Sequence, residues 1–475
     1  MGYGPLPLLS CRTGALLCLR GGGASTALLG VPAATAAMTK TIVGLGVLTL
    51  SSGLASGTGT GPATLAMAAT TALGAYTWSL IGEVCEFHVA HGVQCTLHDL
   101  WRASIGSSSL WIVQGATVSL CYCLCTVYLL CLGEILPPLL GLAGVPSIVR
   151  SRRASILLGA AAVLPLCLQP TLTSLNFASV LGSLAIGCTC VFLMTRWLDG
   201  SYARGGRFFD RMPPQLQADV ERAPKTWEVS KETSILIANL GTSLCAHYLA
   251  PNFYRTLASA SAARFRLVTF MAFTIVFVIS LLHALPGFFT FGRACQPLIL
   301  NNFHPTDDVK ATGARVAVAA SLICSFPFIF MGLREALLPS LDGLFSGLRP
   351  HLIAIPHASW YLVTLIVGAP VLGTALLVDN LGLIVGLMGS VLGGALMYVT
   401  PAAMHASYLV GREAILSGWG ATVAAASTLS PTRRLALAGD VALLVYGLIG
   451  QMLIGTTVIY EYARKQLAKS RPTDA

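Results

Sequence analysis

Eleven apolar segments follow one another along this chain, each close to the ~20 residues that a helix needs to cross a bilayer. They lie near residues 40–58, 61–82, 109–136, 154–169, 173–195, 233–257, 266–289, 313–340, 358–378, 381–409 and 437–460. Only 10% of the residues are charged, against about 25% in soluble domains. Spanning segments of this length form helices, because hydrocarbon offers the backbone no hydrogen-bond partner. The sequence therefore predicts an all-α, multi-pass integral membrane protein with eleven transmembrane helices.

Two of these segments contain residues that interrupt a helix. The first holds Gly44 and Gly46 shortly after Lys40. The sixth carries a group of small and polar residues, namely Asn239, Gly241, Thr242, Ser243, His247 and Pro251. Interrupted helices survive at membrane depth where they line a cavity, so both segments point to a solute-binding site. The alternative is a kinked helix whose hydroxyls bond to their own backbone.

The longest connection, residues 196–232, is rich in charge and separates five apolar segments from six. Each half then begins with one of the two interrupted segments. Many transporters consist of two inverted repeats of five helices whose first helices are broken at the binding site. The sequence predicts this 5+5 arrangement, with broken first and sixth helices.

The chain ends and composition set the remaining boundaries. Residues 1–37 contain Arg12 and Arg20 but no acid, which is typical of an organelle transit peptide or of a disordered cytosolic tail. A transporter domain is predicted for 38–462 and a tail for 463–475. The net charge of +10 indicates contact with lipid headgroups, without a nucleic-acid motif. The distribution of Lys and Arg between loops does not determine the orientation.

Other chemistries find no motif in this chain. The 14 cysteines include no paired CxxC motif, so neither a disulfide framework nor a metal site is expected. Nucleophile-elbow, zinc-protease and nucleotide-binding loop motifs are also lacking. We therefore expect no enzyme and no cofactor. His283 and His405 are interpreted as structural residues.

Four motifs in order resemble the amino acid/auxin permease superfamily. Residues 247–254 read His-Tyr-Leu-Ala-Pro-Asn-Phe-Tyr and are similar to its His-Tyr-Asn-Ala-Pro-x-Phe-Tyr signature. Residues 42–50 resemble its Gly-x-Gly-(Ile/Val)-Leu entry motif, 75–83 its second helix and 327–334 its Pro-to-Arg motif. The chain is most similar to the vacuolar and fungal-type neutral amino acid transporters of that group. The resemblance covers residues 38 to 460.

The resemblance implies a LeuT-like (APC) fold and amino acid transport coupled to Na⁺ or H⁺. Freed amides at Gly44, Leu45 and Gly46 would bind the carboxylate of a zwitterion. Acceptors for its ammonium would come from a second group of residues in the sixth helix, namely Asn239, Gly241, Thr242 and Ser243. Leu249 and Thr256 replace the usual Asn and Glu of the signature, which leaves the substrate open.

The coupling-ion residues depart from the sodium-dependent pattern. Lys40 stands where sodium-coupled relatives often have an Asn ligand, while Ser325 matches their hydroxyl ligand. An ammonium can stand in for Na⁺, which favours H⁺ coupling or uncoupled exchange; alternatively, Lys40 extends to the membrane interface. His247 either carries a proton or packs between helices.

These observations predict secondary active transport of small neutral amino acids by alternating access, with H⁺ favoured over Na⁺. A membrane-embedded amino acid sensor, a sodium-coupled carrier and a transporter of auxin-like aromatic acids are the alternatives. We expect a monomer in a vacuolar, other endomembrane or plasma membrane, with an organelle envelope as a further option.

Overall fold

The computed structural model describes residues 28–168, 176–220, 226–344 and 356–470, and these ranges form helices joined by turns and short loops. The first half comprises α1 (Val31–Ile42), a 3₁₀ turn (Leu45–Thr49), α2 (Leu50–Ala55), α3 (Thr60–Ala90), α4 (Leu97–Ser104), α5 (Leu110–Leu142), α6 (Arg152–Cys167), α7 (Asn176–Leu198) and α8 (Pro214–Val220). The second half comprises α9 (Thr233–Leu244), a 3₁₀ turn (His247–Leu249), α10 (Ala250–Thr256), α11 (Ala262–Phe291), α12 (Val309–Leu344), α13 (Pro356–Leu377), α14 (Leu381–Val410), α15 (Arg412–Leu416), α16 (Trp419–Thr428) and α17 (Pro431–Arg464).

Six of these helices are long and apolar enough to cross a membrane. They are Leu110–Leu142, Leu181–Leu198, Ala262–Ala294, Val309–Arg334, Leu381–Val410 and Pro431–Arg464. The pair Val31–Ile42 and Leu45–Ala55, bent by 49°, supplies a seventh span if counted as one. Each predicted apolar segment overlaps a helix or helix pair of the described chain. The all-helical membrane architecture is confirmed, while the count of eleven crossings and the inverted repeat stay predictions.

The first helix begins at Val31, before the predicted domain start at residue 38. Pro32 lies in its first turn, where its fixed φ suits a helix and its missing N–H costs nothing. Residues 31–37 therefore belong to α1. Residues 1–27, which hold most of the first predicted tail, and residues 471–475, which end the second, lie outside the described residues.

Glycines let α9 approach two neighbours backbone to backbone. A Cβ added to Gly46 would lie 2.7 Å from the Cα of Ser243. On the other side of α9, a Cβ on Gly389 would lie 1.8 Å from the Ala238 carbonyl oxygen. Membrane helices use small residues in this way to pack closely. The helix α9 is thus held between the first break and α14.

The helix α14 is widened where it contacts α9. It contains two π-helical segments, Met388–Leu392 and Gly394–Val399. Wide turns of this kind often mark functional sites in helices.

A backbone clasp joins the two short half-helices α1 and α10. Leu29 and Leu257 form a parallel β-bridge. The Leu29 amide donates to the Thr256 carbonyl at 2.8 Å, and the Ala258 amide donates to the Leu29 carbonyl at 2.9 Å. The start of α1 is therefore fixed to the end of α10.

Buried charge holds the end of α7 against the start of α12. Arg196 donates through Nε to Oδ2 of Asp308 at 2.8 Å, and the Tyr202 hydroxyl donates to the same oxygen at 3.0 Å. Asp308 is fully buried. Burial also raises the pKa of the Tyr202 phenol, so it stays a hydrogen-bond donor. Breaking one member of such a set costs about 3–5 kcal/mol.

The close approach of α9 and α14 makes a matched pair of glycine substitutions informative. Gly389→Ala should destabilise the protein by about 1–3 kcal/mol, because its Cβ has no room beside Ala238. Gly393→Ala is the control, since its Cβ would meet Gly241 only at 3.5 Å, an ordinary contact. Thermal unfolding in detergent measures both. Equal midpoints for the two variants would contradict the described packing.

Candidate functional site

The first helix breaks at Val43 and Gly44. Val43 has φ −75° and ψ 86°, and the Gly44 amide donates to the Ile42 carbonyl at 2.9 Å. This is an inverse γ-turn. The next turn begins at Leu45 without a side-chain cap, so the amides of Leu45 and Gly46 lack an intrahelical partner. Of the three predicted amide donors, Gly44 is used in the turn, while Leu45 and Gly46 stay candidates for binding a ligand.

Gly44 borders open space. Its φ of −99° and ψ of −161° are accessible to any residue. A Cβ added there would meet no atom within 4 Å. Neither backbone conformation nor packing requires glycine at this position, so the open space itself is the notable feature.

The second break has the same construction as the first. α1 and α9 each contain 12 residues. Cys245, with φ −80° and ψ 83°, matches Val43, and the Ala246 amide donates to the Leu244 carbonyl at 3.0 Å. A 3₁₀ turn and a short helix follow in both cases. The two breaks are therefore alike in local geometry.

This placement corrects the position expected for the second break. The predicted residues Asn239 to Ser243 lie inside α9, and unwinding begins at Cys245. Gly241 stays helical because its missing side chain serves packing, since a Cβ there would lie 2.4 Å from the Gly389 carbonyl oxygen. The carbonyls of Gly241, Thr242 and Ser243 nevertheless belong to the last turn of α9. They therefore lack partners within the helix.

The polar side chains before this break have different surroundings. The Asn239 amide donates to the Thr49 carbonyl at 3.1 Å and bridges the two broken helices. Thr242 donates instead to the Val385 carbonyl of α14 at 2.6 Å. Asn239 Oδ1 and Ser243 Oγ are buried without a partner among the described residues. A buried unsatisfied group costs about 1–3 kcal/mol, so these two atoms are candidate acceptors for a ligand's donors.

Lys40 and Ser325 converge on α7. A Cβ added to Gly182 would lie 3.4 Å from Lys40 Cε and 3.8 Å from Ser325 Oγ. Lys40 Nζ lies 5.9 Å from the ring centre of Phe328. The lysine is partly buried and lies against α7 and α12, which favours a role inside the protein over an interfacial anchor.

His247 is surrounded by uncharged groups. Its Nε2 is 3.0 Å from the Thr77 hydroxyl and 3.1 Å from the Gly74 carbonyl. Its ring meets Trp78 edge to face at 5.1 Å, and Nδ1 has no partner among the described residues. These contacts suit a neutral, packed imidazole better than a proton carrier.

A third group escaped the sequence reasoning. His405, interpreted as structural, lies 2.8 Å from Asp440 and 3.3 Å from Glu83. Asp440 stands inside the predicted segment 437–460. A carboxylate at membrane depth is a functional candidate by default, and this was the available signal.

Comparison with solved structures finds transporters of low similarity. They include two crystal structures of the manganese transporter of Eremococcus coleocola, one of a mutant and one with an aromatic bis-isothiourea compound. Each match covers 91% of this chain and 97% of the transporter's chain. Their TM-scores are 0.43 and 0.42, at 13% and 12% identity.

Sequence comparison gives the clearer relation. A Danio rerio protein, provisionally named sodium-coupled neutral amino acid transporter 11, is 25% identical over 191 residues. The match covers 40% of this chain and 40% of that relative, so the chain spans less than half of its length. Residues 29–419 match the family model described as "Transmembrane amino acid transporter protein". Because that match covers most of the chain, the protein belongs to the transmembrane amino acid transporter family.

Proposed function

We propose that the protein carries small neutral amino acids across a membrane by secondary active transport. The observation that carries this proposal is the pair of matched helix breaks with unsatisfied groups beside them. Among the described residues, amides without an intrahelical partner lie at the first break, and side-chain oxygens without a partner lie just before the second. Donors and acceptors so arranged suit the two charges of a zwitterion.

Each end of the substrate has candidate partners. The amides of Leu45 and Gly46 begin a half-helix, whose dipole favours a carboxylate. Ser243 Oγ and Asn239 Oδ1, together with the last carbonyls of α9, accept from the ammonium. The open space beside Gly44 takes a small side chain. The family membership and the neutral amino acid named for the Danio rerio relative agree with this substrate class.

The same geometry supports alternating access in a LeuT-like fold. The likeness of the two breaks favours two inverted repeats of five helices, with eleven crossings in all. Movement of the half-helices on either side of the breaks opens the site to one face at a time. The working unit is a monomer in a vacuolar, other endomembrane or plasma membrane.

The proposed coupling ion is H⁺. The Lys40 ammonium near Ser325 supplies a fixed positive charge where a sodium ion would otherwise bind. Sodium coupling is the second candidate, because the Danio rerio relative is named as sodium-coupled. The two candidates differ in which gradient drives uptake.

The first test is uptake of radiolabelled alanine, glutamine and leucine into proteoliposomes. An inward proton gradient should accelerate uptake, while an inward sodium gradient should not. Acceleration by sodium alone would establish the second candidate. Binding without uptake under either gradient would indicate a sensor and contradict the proposal.

The two glycines of the first break should respond differently to a methyl group. Gly44→Ala should leave the unfolding midpoint unchanged but raise KM, because its Cβ enters the proposed substrate space. Gly46→Ala should lower stability by about 1–3 kcal/mol through collision with Ser243. Uptake kinetics and thermal unfolding separate the two effects. An unchanged KM for Gly44→Ala would contradict the placement of the substrate.

Replacement of the lysine tests the ion assignment. Lys40→Asn should reduce proton-driven uptake by roughly tenfold, a typical size for coupling between sites. It should also make uptake respond to sodium, because an amide oxygen can bind the cation beside Ser325. Lys310→Asn is the control, an exposed lysine at the start of α12. Wild-type ion dependence in Lys40→Asn would return Lys40 to a structural role.

A further inference from the structure

A buried histidine between two carboxylates lies apart from the broken helices. His405 of α14 is 3% exposed and Asp440 of α17 is fully buried. Nδ1 of His405 lies 2.8 Å from Asp440 Oδ2, and Nε2 lies 3.3 Å from Glu83 Oε2 of α3. Glu83 also accepts from Arg266 of α11 at 2.5 Å. Four helices thus each contribute one ionisable residue, and we call this set the His405 cluster.

The hydrogen-bond partners determine the protonation state of the histidine. Ionised carboxylates only accept hydrogen bonds, so both ring nitrogens must donate to be satisfied. His405 then carries a positive charge. With Arg266 positive and the two carboxylates negative, the His405 cluster is neutral. Loss of the His405 proton leaves one uncompensated negative charge at membrane depth, which is costly.

An open cavity borders this cluster. A cavity of about 780 Å³ lies between α3, α11, α14 and α17, and Glu83, Arg266 and His405 line it. The side chain of Arg266 is 59% exposed and that of Glu83 is 28% exposed. Asp440 does not line the cavity. In the inference drawn below, this cavity is the route by which protons reach His405 from the Glu83 side.

Few other charged or titratable groups face the cluster. Those nearby are Tyr76 on α3, Tyr408 on α14 and Arg433 on α17. The short helix α4, which also packs on α14, contributes the Ser104 carbonyl that accepts from Ser407. Its charged residues Asp99 and Arg102 pair with each other. None of these groups takes the place of a carboxylate partner.

The cluster lies between helices that reach both parts of the proposed transport site. α14 contacts α9 through Gly389. α3 contacts the second broken helix through Thr77 and Gly74, which hold His247. A change of charge at His405 alters the attraction between α14 and α3, and hence the packing around α9 and α10.

We propose that His405, held by Asp440 and Glu83, binds the proton that drives transport. This inference rests on the proposed function and adds the site of its coupling ion. A proton from cavity water forms an N–H bond on the neutral imidazole of His405, which brings the cluster from one net negative charge to neutrality, and it returns to water when the helices separate. Lys40 keeps a constant charge, and His247 takes no part.

The test compares two buried histidines in proteoliposomes. His405→Gln removes the titrating group. His283→Gln is the control, because His283 is also fully buried but is bonded to Thr189, Cys190 and a backbone carbonyl. For each, alanine uptake under an inward proton gradient is divided by alanine exchange without a gradient. The ratio should fall about tenfold in His405→Gln and stay at the wild-type value in His283→Gln.

The outcomes separate this inference from the proposed function. A wild-type protein without proton acceleration refutes proton coupling itself. A coupled wild type with an equally coupled His405→Gln refutes only the site. If His405→Gln fails to fold, Glu83→Gln provides the second test, because Glu83 lies at the partly exposed edge of the His405 cluster. Loss of the Glu83 carboxylate makes the protonated form of His405 less stable. The midpoint of proton-driven uptake should therefore move about one unit to lower pH. An unchanged pH profile would overturn the assignment.

Discussion

The distance between the backbone of α9 and its neighbours constrains everything around the two breaks. On one side the contact with Gly46 leaves no room for a methyl group beside Ser243, and on the other Gly389 touches Ala238. Side chains cannot separate these segments, so their carbonyls and amides lie within reach of one another. The Asn239 amide, donating to Thr49, adds a hydrogen bond across the same contact.

In a hydrocarbon environment, each polar atom without a hydrogen-bond partner has an energetic cost. Backbone groups at membrane depth must find partners in the protein or in a cavity. Among the described residues, the unpaired oxygens of Asn239 and Ser243 lie near the C-terminal carbonyls of α9 and the first amides of the 3₁₀ turn that begins at Leu45. A solute with both donors and acceptors relieves this cost, and an apolar one does not.

Part of this arrangement could be predicted from the sequence. The apolar segments locate the helices, and the glycines at 44 and 46 locate the first break. The second break lies later than the sequence predicts, because the glycine in this segment does not mark unwinding. At Cys245 the dihedral angles are close to those of an inverse γ-turn, which L-residues adopt, so no glycine is needed. The glycine at 241 serves close packing instead.

The His405 cluster was beyond sequence reasoning for a different reason. Its partners are separated from His405 by 35 and 322 positions, and of its members Asp440 alone stands out in the sequence, as a carboxylate inside an apolar segment. Only the packing of α3, α14 and α17 brings them together. Lys40 and Ser325 lie near the same point of α7, and the family resemblance is what singled out this pair in the sequence.

The clasp between Leu29 and Leu257 has a mechanical consequence. Two backbone hydrogen bonds fix the outer ends of α1 and α10, while the γ-turns at Val43 and Cys245 supply flexible inner ends. The two half-helices are therefore joined at their outer ends, and each has a break in the helix near its inner end. As long as these two hydrogen bonds persist, any tilt of one half-helix would have to carry the other with it.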